Sequence, residues 1–139
     1  MLVPLWFVMG IPPSLGQTTY CVATNGDDDA TGTDWSAPLS TISRAYSKAV
    51  NGDTILVSNG TYNLGSQIEI RKVLNIRSMN GAGKTIVDGS NTVSCFYFNN
   101  GSTCVVDGFT FTRGGNSGIR LAYGSNLVQN CVIISNTGT

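Results

Sequence analysis

Histidine is absent from all 139 residues, and charge is scarce: 12% of the chain is Asp, Glu, Lys or Arg. Without imidazole, zinc and haem sites lose a usual ligand, and Ser-His and Cys-His machinery loses its base. Eight basic residues against eight acidic ones leave no net charge. That argues against nucleic acid or an anionic membrane surface as the main partner. The four cysteines, Cys21, Cys95, Cys104 and Cys131, never form a Cys-x-x-Cys pair, so the usual frame of zinc and redox sites is missing too. In an oxidising compartment they allow three disulfide pairings. The alternative is that they are small buried apolar residues, the reading preferred for Cys131.

A phosphate loop is also lacking, although Asn80–Gly89 imitates one with Gly83-Lys84-Thr85. The first glycine of that motif would stand at position 78, which is Ser78. The helix that should follow is replaced by Ile86-Val87-Asp88-Gly89, a strand running into a turn. No nucleotide cofactor is expected. The stretch reads as a corner between two strands, with Gly81 and Gly83 supplying positive φ.

What the chain does have is 17 glycines, many Asn, Ser and Thr residues, and abundant β-branched side chains. Glu, Lys and Gln are few. A mostly β protein with many tight turns follows. The start is different in character. Leu2 to Ile11 is an almost unbroken apolar run, followed by Pro12-Pro13 and the small residues Ser14 and Gly16. It is too short to span a bilayer. Residues 1–16 read as a signal peptide, although no Lys or Arg precedes the apolar run; the alternative is a buried N-terminal strand.

Residues 17–52 contain a short strand at Tyr20–Ala23, a polar acidic loop and one helix. Ile42, Ala45, Tyr46, Ala49 and Val50 make an apolar stripe at helical spacing. Ser40 or Thr41 can cap its start, and Asn51-Gly52 ends it. From residue 53 to 139 short alternating stretches recur: Ile55/Val57, Leu74/Ile76, Phe96/Phe98 and Ile119/Leu121. A second series runs through Ile68/Ile70, Ile86, Val105 and Leu127. The segments Val105–Gly114 and Leu127–Asn136 align without a gap, placing Phe109 on Cys131 and Phe111 on Ile133. Repeats of 20 to 25 residues mark a solenoid, in which stacked coils share one core. About four coils are expected, with Ile55, Leu74, Phe96 and Ile119 piled in one column.

At this point the sequence resembles the pectin-lyase-like right-handed parallel β-helix proteins. The resemblance rests on Tyr20–Tyr62: the Tyr-Cys-Val strand, the acidic loop, Thr41-Ile42, and then Gly52-Asp53-Thr54-Ile55-Leu56-Val57-Ser58-Asn59-Gly60-Thr61-Tyr62. It implies an all-β, right-handed parallel β-helix whose short N-terminal helix caps the stacked coils. It also implies a secreted or cell-surface protein. Members include polysaccharide lyases and hydrolases, and long surface proteins such as the polymorphic outer-membrane proteins. The lyases hold calcium-binding carboxylates and a catalytic Lys or Arg on middle coils. This chain reads as C-terminally truncated, ending at Ser135-Asn136-Thr137-Gly138-Thr139, and no catalytic residue carries over.

Two candidate sites emerge. The run Asp27, Asp28 and Asp29 suggests calcium, the one metal cofactor considered. The EF-hand pattern fails because its twelfth position is Pro38, and the alternative is a solvated turn before the helix. Arg77, Tyr97, Arg120 and Tyr123 sit at outward positions, or just beyond, and suit sugar rings and uronate carboxylates. The alternative is ordinary exposed β residues. Asp88 and Asp107, both in Val-Asp-Gly triplets, would stack if their offset were one coil; otherwise each accepts backbone hydrogen bonds at a corner. The expected function is adhesion to, or contact with, a polysaccharide or cell-surface glycan. The competing expectation is the N-terminal part of a polysaccharide lyase.

Overall fold

The computed structural model describes residues 16–137. Residues 1–15, all but the last of the stretch 1–16 read as a signal peptide, lie outside them. Strand β1 (Thr19–Val22) precedes a long loop and helix α1 (Ile42–Lys48). Eleven short strands follow: β2 (Thr54–Val57), β3 (Gly60–Asn63), β4 (Ile68–Ile70), β5 (Asn75–Ser78), β6 (Thr85–Asp88), β7 (Phe96–Phe98), β8 (Val105–Asp107), β9 (Thr110–Thr112), β10 (Ile119–Leu121), β11 (Leu127–Gln129) and β12 (Val132–Ile134). They form three parallel sheets, ordered β1-β2-β5-β8-β11, β3-β6-β9-β12 and β4-β7-β10. The chain visits the three sheets in turn, so each circuit is one coil. Three coils are complete, and β11 and β12 belong to a fourth.

Strands of three or four residues can each turn only one or two side chains inward. The inward positions therefore stack between coils. Tyr20, Ile55, Ile76, Val106 and Val128 form one column. Tyr62, Val87, Phe111 and Ile133 form a second, and Ile68, Phe96 and Ile119 a third. The Phe96 and Phe111 rings meet edge to face across the interior, centroids 4.9 Å apart. No single coil could bury these groups; the stack does.

The expected column of Ile55, Leu74, Phe96 and Ile119 is corrected. Ile55 stacks on Ile76, whereas Phe96 and Ile119 stack in the β4-β7-β10 sheet. The second coil is the reason. Asn75 pairs with Val105, thirty residues on, while Val105 pairs with Leu127. A fixed step therefore slips from one sheet to another. Where the coils are regular, the alignment holds: Val105 pairs with Leu127 and Phe111 with Ile133. The Phe109 amide also donates to Cys131 Sγ at 3.5 Å.

The corner Asn80–Lys84 joins β5 to β6, as its glycines suggested. Gly81 has φ +89°, but Gly83 does not adopt positive φ. Asn80 Nδ2 donates to Asn59 Oδ1 of the coil below at 2.8 Å. All four cysteines are free thiols; Cys21, Cys95 and Cys104 are buried and Cys131 is half-buried.

The first coil is closed by α1 and the loop before it. Ile42, Ala45 and Ala49 are buried, and α1 packs on β1 and β2. Val50 leaves the expected stripe and is 59% exposed, because Ala49 already takes an extended conformation and ends the helix. Asp53, from the Gly-Asp-Thr motif, is buried. Its two oxygens accept from the Thr18 and Val50 amides, each at 2.8 Å. One carboxylate thus pins the entering strand to the end of the helix.

Candidate functional site

The outer surface of the β4-β7-β10 sheet carries a row of polar groups. Alternation dictates it: Ile68 and Ile70 point inward, so Glu69 points outward, and likewise Tyr97 between Phe96 and Phe98. Parallel pairing then puts Glu69, Tyr97 and Arg120 in register. The Arg120 guanidinium lies over the Tyr97 ring, 4.7 Å from its centroid. Guanidinium on an aromatic face is attractive and orients the cation. On the other side, Glu69 Oε1 accepts from Asn99 Nδ2 at 2.9 Å and from Arg71 Nη2 at 2.8 Å. These bonds, Asn99 first and then Arg71, hold the Glu69 carboxyl below the ordinary carboxylate range. The Arg71 amide donates to the Tyr46 hydroxyl at 3.0 Å, which ties the row to α1.

Two of the four outward residues anticipated from sequence therefore come together, Tyr97 and Arg120. Tyr123 follows β10 in the next turn and is 69% exposed. Arg77 is placed elsewhere, on β5 of the β1-β2-β5-β8-β11 sheet, in register with Asp107. Glu69, Arg71 and Asn99 were missed. The apolar pairs Ile68/Ile70 and Phe96/Phe98 flank Glu69 and Tyr97, and that alternation was the signal that could have found them.

The acidic loop resolves into separate roles. Asp28 accepts from the Ser40 and Thr41 amides, each at 2.9 Å, and from the Thr41 hydroxyl at 2.7 Å. Thr41 Oγ1 in turn accepts from the Arg44 amide at 3.0 Å, as an N-cap does. Burial pushes the Asp28 carboxyl up, but the hydrogen bonds from Thr41 and Ser40 outweigh it and hold it below its ordinary value. Asp27 accepts from the Asp29 amide at 2.9 Å. Among the described residues no group of three or more His, Cys, Asp or Glu side chains is arranged to hold a metal ion.

Asp88 and Asp107 do not stack, because β6 and β8 belong to different sheets. Asp88 is buried and holds Arg113: Nε lies 3.0 and 2.9 Å from its two oxygens, and Nη2 lies 2.6 Å from Oδ2. It also accepts from the Ser90 amide at 2.8 Å, the corner role anticipated for it. Asp107 accepts instead from the side chains of Gln129, 3.0 Å, and Asn130, 2.9 Å, in the next coil.

The row on the β4-β7-β10 face thus offers guanidinium donors for carboxylates, and a carboxylate, an amide and a phenol for hydroxyls. That is recognition chemistry for a charged, hydroxyl-rich chain. Among the described residues no helix is long and apolar enough to cross a membrane. In comparison with known proteins, a family model described as "Pel9A-like, right handed beta helix region" matches residues 20–139. No curated protein and no solved structure matches.

Proposed function

The chain belongs to the Pel9A-like right-handed β-helix family, and from that premise we propose that its β4-β7-β10 face contacts an acidic polysaccharide outside the cytoplasm. The observation that carries this reading is the Arg120–Tyr97 pair beside the Glu69–Asn99–Arg71 cluster. Arg120 can grip a carboxylate through two parallel N–H groups, while Arg71 already spends Nη2 on Glu69. Tyr97 and Asn99 reach sugar hydroxyls. Coils stack at about 4.8 Å, so the row presents its polar ends at close intervals along the solenoid, as a repeating linear ligand requires.

Affinity electrophoresis through polygalacturonate tests it. The 139-residue chain is expected to be retarded; Arg120→Ala is expected to weaken retention about tenfold or more, since a hydrogen bond to a charged group contributes about 1.5–3 kcal/mol, and Tyr97→Ala to weaken it too, since the ring orients the guanidinium. Retention that both variants leave unchanged would remove the face from consideration. A second reading, that these coils begin a polysaccharide lyase, is supported by the family match itself. It requires unsaturated product to accumulate from polygalacturonate with calcium.

A further inference from the structure

A separate cleft lies between the start of α1 and strand β3, and it shares no lining residue with the row just described. Its volume is about 260 Å³, and its walls come from Thr24, Ser40, Thr41, Ile42, Ser43 and Thr61 through Gly65. We propose that this cleft binds a single neutral sugar ring, as a second glycan site distinct from the acidic-chain face.

Size comes first. Pockets that enclose drug-sized ligands run from about 300 to 1,000 Å³, so a cleft of about 260 Å³ has room for one ring rather than an oligosaccharide. Charge comes second. None of the lining side chains is charged, so a uronate carboxylate would enter without a counter-charge, a costly transfer. Asp28 is hydrogen-bonded by the lining residues Ser40 and Thr41. Polarity comes third. The hydroxyls of Ser43 and Thr61 and the Asn63 amide make no hydrogen bond among the described residues, so they are available to ring hydroxyls. Ile42, Tyr62 and Leu64 are buried in the core and form the floor beneath these groups. Finally, the walls are set in advance. Tyr62 donates to the Ser58 carbonyl at 3.0 Å, and Thr41 is bound to Asp28 at 2.7 Å. Little ordering is left to occur on binding.

The site does not depend on the acidic-polysaccharide reading. Amide NMR titrations with methyl α-galactoside and methyl α-glucoside, and with galacturonate as the charged twin, test it. Saturable shifts are expected at Ser43, Thr61, Asn63 and Gly65 for at least one neutral pyranoside, with galacturonate at least fivefold weaker. Asn63→Ala and Thr61→Val, both at exposed positions, should each weaken binding at least fivefold while leaving the rest of the spectrum in place. Tyr97→Ala and Arg120→Ala should leave it untouched. The proposal is overturned if neither pyranoside shifts these amides at tens of millimolar, if galacturonate binds as well, or if the cleft variants bind unchanged.

Discussion

Asp88 and Arg113 form a charge pair of unequal exposure: the aspartate side chain is 6% exposed and the arginine 50%. Burial pushes the Asp88 carboxyl up. The hydrogen bonds from Arg113 and from the Ser90 amide, together with the guanidinium charge, outweigh burial and leave it below its ordinary value. A carboxyl whose folded pKa is depressed contributes stability that is fully present above its unfolded pKa. That stability is lost as pH falls through the folded value. Arg113→Ala is therefore expected to lower stability at neutral pH, because it strands a buried carboxylate. The gap between wild type and variant should shrink as the solution is acidified below the carboxylate range. Urea melts at pH 7 and pH 3 measure it, and a gap that does not change with pH would refute the assignment. Arg113 itself takes a left-handed backbone, φ +50°. Nothing in the local sequence announced the pair with Asp88, since that partner is 25 residues away.

At the scale of the element, α1 is a helix of seven residues, too short to persist by its own propensity. Groups outside it hold both ends. Asp28 serves the start, and Lys72, from the turn between β4 and β5, serves the finish. Lys72 Nζ donates to the Tyr46 and Ala49 carbonyls, each at 2.7 Å, and lies 4.4 Å from the Tyr46 ring centroid. Those carbonyls are among the acceptors a helix end leaves unpaired. Lys72→Met keeps most of the side chain's packing volume and removes both donors. It is expected to lower stability by about 1–3 kcal/mol, read as a fall in Tm. Lys48→Met is the control: its nearest carbonyl, that of Ala30, is 3.4 Å away, and surface changes of this kind stay within about 0.5 kcal/mol. Equal losses for the two variants would show that Lys72 acts through general charge rather than through the helix end. The acidic loop was legible as a feature of the sequence, but its purpose was not. Three adjacent aspartates suggest an ion, whereas only folding reveals that one of them is spent on the helix.

At the scale of the whole molecule, stability is shared between neighbouring coils, so a residue's value depends on how many coils cover it. Phe111 is completely buried, with Val87 on one side and Ile133 on the other. Ile133 holds the same inward position one coil later, yet is 55% exposed. Phe111→Ala should cost about 4 kcal/mol, near the middle of the range for aromatic truncation in a core, and Ile133→Ala well under the 2–5 kcal/mol usual for a buried isoleucine. Hydrogen exchange on the 139-residue chain should follow the same gradient, with amides of β11 and β12 least protected and those of β5 and β8 most. Uniform protection along the coils would contradict it.

The recurrence of short apolar pairs every 20 to 25 residues was enough to mark this chain as a solenoid; its parallel, right-handed form was what the resemblance of Tyr20–Tyr62 implied. Alternation over three or four residues, glycine-rich corners and repeated apolar pairs can all be read from short windows, and together they argue against a long helix. They also placed Tyr97 and Arg120 on one face, because both stand between inward apolar neighbours. Register was decided only by the tertiary structure. Coil lengths differ, and a longer second coil moves every later strand to another sheet than a fixed period would assign. That is why Arg77 left the row with Tyr97, why Asp88 and Asp107 parted, and why Glu69 and Asn99 joined. The physical reason is that a corner can absorb extra residues at little cost, whereas an inward position must be filled by an apolar side chain.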